Sequence, residues 1–128
     1  MTEGREAKKI LIVDDDRASR VLMRTMLHTL GEPCSISEAS GGQQALRMIE
    51  QDRPDIVLLD ILMPDLDGVS ICSKLKHDFE TRDIKILMVT ARRDERMVRA
   101  SLLAGADDYI NKPFTQERLL QVLQRLMK

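Results

Sequence analysis

Three carboxylates, a hydroxyl and a lysine each stand at the end of an apolar run. Asp14 and Asp15 follow Ile10-Leu11-Ile12-Val13, and Asp60 follows Ile56-Val57-Leu58-Leu59. Thr90 follows the run from Ile84 to Val89, and Lys112 comes just after Tyr109-Ile110 and just before Pro113. Taken singly, each has an ordinary use: an aspartate run after a strand commonly caps the next helix, as Asp16 could, and Lys-Pro commonly punctuates a helix start. As a set they point to chemistry. Carboxylates gathered in one place repel and raise one another's pKa, so such a cluster calls for cations to offset it. Ligands that are all oxygen, with no His or Cys beside them, favour a hard ion such as Mg²⁺. Asp60 then suits a carboxylate nucleophile. Mg²⁺ held by Asp15 and Asp60, with Asp14 nearby, would offset the charge of an incoming phosphoryl group. Lys112 adds a second cation, and Thr90 a hydroxyl donor to a phosphoryl oxygen. The expected product is an acyl phosphate on Asp60.

That chemistry requires the five residues to converge, and the order of elements supplies a way. Short apolar runs alternate with segments of helical periodicity from end to end. The first run precedes a helix from Asp16 to Leu30, with Ala18, Val21, Leu22, Met26 and Leu30 at helical spacing and Gly31 ending it. Cys34 to Ala39 reads as a weak strand, and Ser40 as the cap of a helix bearing Ala45, Leu46 and Ile49. Pro54 breaks the pattern before the third run. A turn-rich loop from Met63 to Gly68 then leads to a helix with Val69, Cys72 and Leu75. The fourth run is followed by a helix from about Asp94 to Ala104, closed by Gly105. Tyr109-Ile110 mark a fifth strand, and the last helix starts at about Thr115 and carries Leu119, Leu120, Val122, Leu123 and Leu126. The order is five successive strand–helix units. Runs one, three and four are apolar on both faces, as strands covered on both sides are, and right-handed crossovers then give a doubly wound α/β sandwich around a parallel sheet. In such a sheet the ligand crevice lies outside the carboxyl ends of the strands, where all five residues fall.

The 128 residues suit one domain with a self-sufficient core. Apolar residues make up 43% and charged residues 32%, which excludes a disordered or fibrous chain. Lys plus Arg (20) nearly cancels Asp plus Glu (21), so no field favours nucleic acid or an anionic membrane. Aromatic residues are only 2%, too few for a base-stacking platform. No apolar run approaches a bilayer span, and the polar first residues are unlike a signal peptide. Cys34 and Cys72 lack CxxC spacing, consistent with a reducing, cytoplasmic setting in which both pack as small apolar residues.

From about Lys9 to Leu126 the chain resembles the receiver (CheY-like) domains of two-component response regulators. The resemblance rests on Ile10 to Asp16, Pro54 to Asp60, Met63-Pro64 through Asp67-Gly68, Thr90-Ala91, and Gly105 to Tyr109 running into Lys112-Pro113-Phe114. It implies a flavodoxin-like strand order of 2-1-3-4-5, with residues 1–128 forming one receiver domain. It also implies that Asp60 is phosphorylated by a sensor histidine kinase or phosphotransfer protein in a Mg²⁺-dependent reaction. Asp14, Asp15, Asp60 and the Leu62 backbone carbonyl would hold the metal, and Lys112 and Thr90 would serve the phosphoryl transfer. Thr90 and Tyr109 match the family's switch pair, and the Lys112-Pro113 bond is cis in the family. The output face would be that of the fourth helix, fifth strand and fifth helix, with Val98, Leu102 and Tyr109 meeting a downstream effector protein or domain, or a second copy in a homodimer. No enzyme activity beyond the domain's own phosphorylation and dephosphorylation is implied.

Two flanking positions tune phosphoryl lifetime in the family, and here they are Leu62 and Arg92. Neither orients an attacking water, so slow self-dephosphorylation is expected. The arginines at 92, 93, 96 and 99 alternate with Asp94 and Glu95 and read as a solvated mixed-charge surface. His28 and His77 fall near helix C-termini, where a cation is mildly favoured. A phosphatase of haloacid-dehalogenase type would need an aspartate at position 62. A flavin carrier would need a Ser/Thr-rich loop in place of the three aspartates. A binding module that never turns over phosphate usually lacks part of the acidic set or the lysine. The active receiver remains, either free-standing or as the N-terminal domain of a longer regulator.

Overall fold

The computed structural model of the chain describes residues 7–31, 33–91 and 95–128. Within them, strands and helices alternate: β1 (Lys8–Val13), α1 (Arg17–Leu27), β2 (Cys34–Ala39), α2 (Gly42–Gln51), β3 (Ile56–Asp60), α3 (Gly68–Lys76), β4 (Lys85–Thr90), α4 (Glu95–Leu103), β5 (Asp108–Asn111) and α5 (Gln116–Leu126). The strands form one sheet of order β2-β1-β3-β4-β5, and every pairing is parallel. This is the doubly wound, flavodoxin-like arrangement expected. Ile12 lies opposite Glu38 on one side and Leu58 on the other, and Asp60 lies opposite Val89.

Alternation along the central strands divides the core in two. Leu11, Val13, Val57, Leu59, Ile86 and Met88 pack with Ala45, Ile49, Ile71, Cys72 and Leu75, so this side is covered by α2, α3 and part of α4. Ile10, Ile12, Ile56, Leu58, Leu87 and Val89 pack with Met23, Leu27, Leu119, Val122 and Leu123 of α1 and α5. Successive strand residues point to opposite faces, and both faces are dry, which is why Ile10–Val13, Ile56–Leu59 and Ile86–Val89 read as unbroken apolar stretches. Each such side chain contributes on the order of 1.5–3 kcal/mol by leaving water.

Two local expectations change, the extent of α1 and the cap of α2. The first helix ends at Leu27, with His28 as its C-cap, and Leu30 closes a tighter turn onto the Leu27 carbonyl. Its buried face is Met23, Leu27 and Leu30, whereas Val21 and Leu22 are half-exposed. The periodicity is compatible with either phase, and packing against β1 and α5 selects one. Ser40 is not the cap of α2. The N-cap is Gly41, which makes no side-chain cap bond, while the Ser40 amide and hydroxyl both donate to the Gln44 side-chain oxygen. Asp16, Asp67 and Thr115 do cap α1, α3 and α5, each accepting from a first-turn amide. The expected start of the fourth helix at Asp94, together with Arg92 and Arg93, lies outside the described residues. Gly105, with φ of 106°, follows the end of α4.

Candidate functional site

The winding reverses at β1: its helix leads outward to β2, and the next crossover returns to β3 on the other side. A crevice opens between the carboxyl ends of β1 and β3. Asp14, Asp15 and Asp60 meet there, each offering a carboxylate oxygen within 4.8 Å of the others. Asp14 is 1% exposed, Asp15 open to solvent and Asp60 between the two.

Lys112 reaches this cluster from the end of β5. Its Nζ lies 2.7 Å from Asp14 Oδ2 and 3.9 Å from Asp60 Oδ2. Its backbone is anchored by a 2.7 Å bond from Lys112 N–H to the Thr90 carbonyl, and the Lys112-Pro113 peptide is cis, in keeping with the resemblance. Thr90 is buried at the end of β4. All five residues singled out in the sequence thus stand at the same edge of the sheet.

Electrostatics set Asp60 apart. Burial pushes its carboxyl up to about 6, and the neighbouring Asp14 adds to the rise; the Lys112 ammonium and a hydrogen bond from the Leu62 backbone N–H oppose it. A carboxylate crowded by two others and only partly offset by one lysine is a site that gains from a divalent cation. The donors are all oxygens, which fits Mg²⁺. Leu62 is half-exposed and directly follows Ile61 in the loop beyond β3.

The loop leaves β3 sharply. Gly68 N–H donates to the Ile61 carbonyl at 2.7 Å. A β-carbon on Gly68 would fall 2.3 Å from the Asp60 carbonyl oxygen, so only glycine permits this approach.

Several supporting residues had escaped notice in the sequence. Ser19 accepts from Lys112 Nζ at 3.3 Å and donates to Asp16 at 3.0 Å. Arg20 donates to the Asp14 carbonyl at 2.7 Å and to Glu38 at 3.0 Å, and Arg24 joins it on Glu38. The paired guanidinium groups, Arg24 first, hold the Glu38 carboxyl below its ordinary range. Arg20 and Arg24 are one turn apart on a helix following the aspartates, which is the signal that could have found them.

Away from the crevice, Tyr109 is half-buried and shares a groove of about 420 Å³ with Glu95, Val98, Arg99, Leu102 and Asn111. Among the residues described in α4 only Ser101 is buried, while Leu102 is 49% and Leu103 81% exposed. Met97 packs against the core, but Leu102 and Leu103 are apolar area that core packing does not cover. Cys72 is buried with its thiol pushed up to about 11 by desolvation, and Cys34 is half-buried, both as packing residues. His28 and His77 are the C-caps of α1 and α3. No helix among the described residues is long and apolar enough to cross a membrane.

Comparison with known proteins agrees with this geometry. The family model of the response regulator receiver domain matches residues 10–124. Response regulator MprA of Mycolicibacterium vanbaalenii is 44% identical over 120 residues, covering 94% of this chain and 50% of that protein. The chain thus spans about half the length of that relative. Among solved structures, a putative response regulator from Chloroflexus aurantiacus superposes with a TM-score of 0.89 at 31% identity, covering 95% of this chain and 98% of the other. The receiver domain of the sensor histidine kinase PA1611 from Pseudomonas aeruginosa, with a magnesium ion coordinated in its active site cleft, superposes with a TM-score of 0.84, also at 31% identity, covering 95% of this chain and 98% of the other. With its parallel sheet of order 2-1-3-4-5 and its acidic crevice, the chain belongs to the response regulator receiver domain family.

Proposed function

We propose that residues 1–128 act as one phospho-accepting switch in which Asp60 is the acceptor. The observation that carries this is the meeting of Asp14, Asp15 and Asp60 with Lys112 at the strand ends. A carboxylate oxygen of Asp60 attacks phosphorus as the bond to the donor's leaving group breaks, and a leaving imidazole takes its proton from solvent. Asp14, Asp15, Asp60 and the Leu62 carbonyl are the proposed ligands of Mg²⁺, which when bound screens the charge of the phosphoryl oxygens. Lys112 supplies a second positive charge from a position already within 3.9 Å of Asp60. Thr90, at the neighbouring strand end, is the proposed hydroxyl donor and, with Tyr109, the switch pair. The domain catalyses only its own phosphorylation and dephosphorylation.

The proposed donor is a sensor histidine kinase or phosphotransfer protein in the cytoplasm. The proposed readers of the phosphorylated state are a downstream effector protein or domain, or a second copy, docking over the α4–β5–α5 face at Val98, Leu102 and Tyr109. Neither nucleic acid nor a membrane is a proposed partner of this domain. The test is intact-mass spectrometry after incubation with Mg²⁺ and acetyl phosphate. One phosphoryl adduct on the parent, absent from Asp60→Asn and abolished by EDTA, is expected. An adduct that survives in Asp60→Asn would reject the assignment. Leu62 offers no group to orient water, so the adduct should be long-lived, and Leu62→Asn should shorten its half-life. An unchanged half-life in that variant would contradict slow self-dephosphorylation. Arg92, the second residue behind that expectation, lies outside the described residues.

A further inference from the structure

The loop from Ile61 to Asp67 carries the Leu62 backbone beside Asp60, yet between those two residues only Met63 is buried. Something must fix its path. One end is held by the Gly68–Ile61 bond. Its middle is held by Asp65, whose Oδ1 accepts from the Gly42 N–H and whose Oδ2 accepts from the Gln43 N–H, both at 3.0 Å. These are the first two amides of α2, the helix whose own N-cap supplies no side-chain bond. A carboxylate across two parallel amides at a helix start is a charge-assisted, geometrically specific contact. Close packing accompanies it: a β-carbon on Gly42 would fall 2.7 Å from Leu66 Cβ. The loop therefore lies directly against α2 instead of arching into solvent.

We infer that Asp65 is a positioning residue for the acceptor site, clamping the 61–67 loop to α2 so that the Leu62 backbone is held beside Asp60 and its carbonyl is offered to the proposed metal position. This rests on the proposed acceptor function. Asp65 touches neither donor nor phosphoryl group and acts only through the backbone it holds. Releasing the clamp should loosen Leu62 whether or not a cation is present, and should weaken Mg²⁺ binding more than it slows the chemical step.

The test compares the parent with Asp65→Ala, Asp65→Asn and Thr115→Ala. The last removes the cap of α5, far from the loop in sequence, and controls for stability alone. In metal-free protein, amide hydrogen exchange at Leu62 should accelerate about tenfold in Asp65→Ala, less in Asp65→Asn and not in Thr115→Ala. With Mg²⁺ added, the dissociation constant should rise severalfold in Asp65→Ala, while the rate of modification by acetyl phosphate recovers toward the parent's at saturating Mg²⁺. Unchanged Leu62 exchange in Asp65→Ala, or a Mg²⁺ affinity changed no more than in Thr115→Ala, would reduce Asp65 to a helix cap and overturn the inference. A parent that binds no Mg²⁺ would instead overturn the acceptor reading, and the metal-free exchange at Leu62 keeps the two failures apart.

Discussion

Asp60 is destabilised where it stands, and the sign of that effect is testable. Its folded-state pKa of about 6 lies above the roughly 3.9 of an unfolded aspartate. Between those values the folded chain binds more protons than the unfolded one, so stability falls as pH rises through that window. The penalty is absent below about pH 4 and complete above the folded pKa of about 6. In EDTA, Asp60→Asn should therefore melt above the parent at pH 7.5, with the advantage gone at pH 4. Thermal melts at both pH values check this, and an advantage that does not change with pH would contradict it. Mg²⁺ should raise the melting temperature of the parent and leave Asp60→Asn nearly unmoved. At this scale the sequence was informative because the chemistry sits at strand ends, where a run of apolar residues gives way to Asp14, Asp60 or Thr90. Asp65 could not be read the same way, since its partners lie 22 and 23 residues away at the start of another element.

The elements impose their own demands on the site. Gly68 permits α3 to start against the end of β3, and Gly68→Ala would drive a methyl group into the Asp60 carbonyl. Backbone cannot give as a flexible side chain can, so a loss of about 3 kcal/mol is expected, with weakened Mg²⁺ binding because Asp60 itself must shift. Chemical denaturation measures the first effect and cation titration the second. Strands β1, β3 and β4 were legible because burial on both faces leaves an apolar run no alternative. The phase of α1 was not: Ala18, Leu22 and Met26 repeat as regularly as Met23, Leu27 and Leu30, and only contact with α5 and β1 separates them. Ser40 looked like a cap by residue type, but a glycine takes that position and its amides are served by a distant carboxylate.

For the whole molecule, the division of surfaces matters more than the core. The crevice lies at the carboxyl ends of β1 and β3, while Val98, Leu102 and Tyr109 line a groove beside the outermost strand, β5. With Leu103 largely exposed as well, α4 presents apolar area that the domain's own packing does not use. Val98→Asp should leave phosphorylation intact while abolishing any phosphorylation-dependent association. Size-exclusion chromatography with light scattering, before and after acetyl phosphate, reads this, and association unaffected by the substitution would move the output surface elsewhere. Strand count and alternation were readable from periodicity, but the 2-1-3-4-5 order was not; it came from the resemblance, because nothing local in a strand records its neighbours.

The central claim is that Asp60, among the three carboxylates in the crevice, takes the phosphoryl group. An acyl phosphate is reduced by borohydride to an alcohol, so an aspartate that carried phosphate becomes homoserine while an unmodified one is untouched. Borohydride reduction of the Mg²⁺- and acetyl-phosphate-treated chain, followed by peptide sequencing in the mass spectrometer, should place homoserine at position 60 alone. Homoserine at 14 or 15, or none at 60 in a chain that had gained phosphate, would contradict the account.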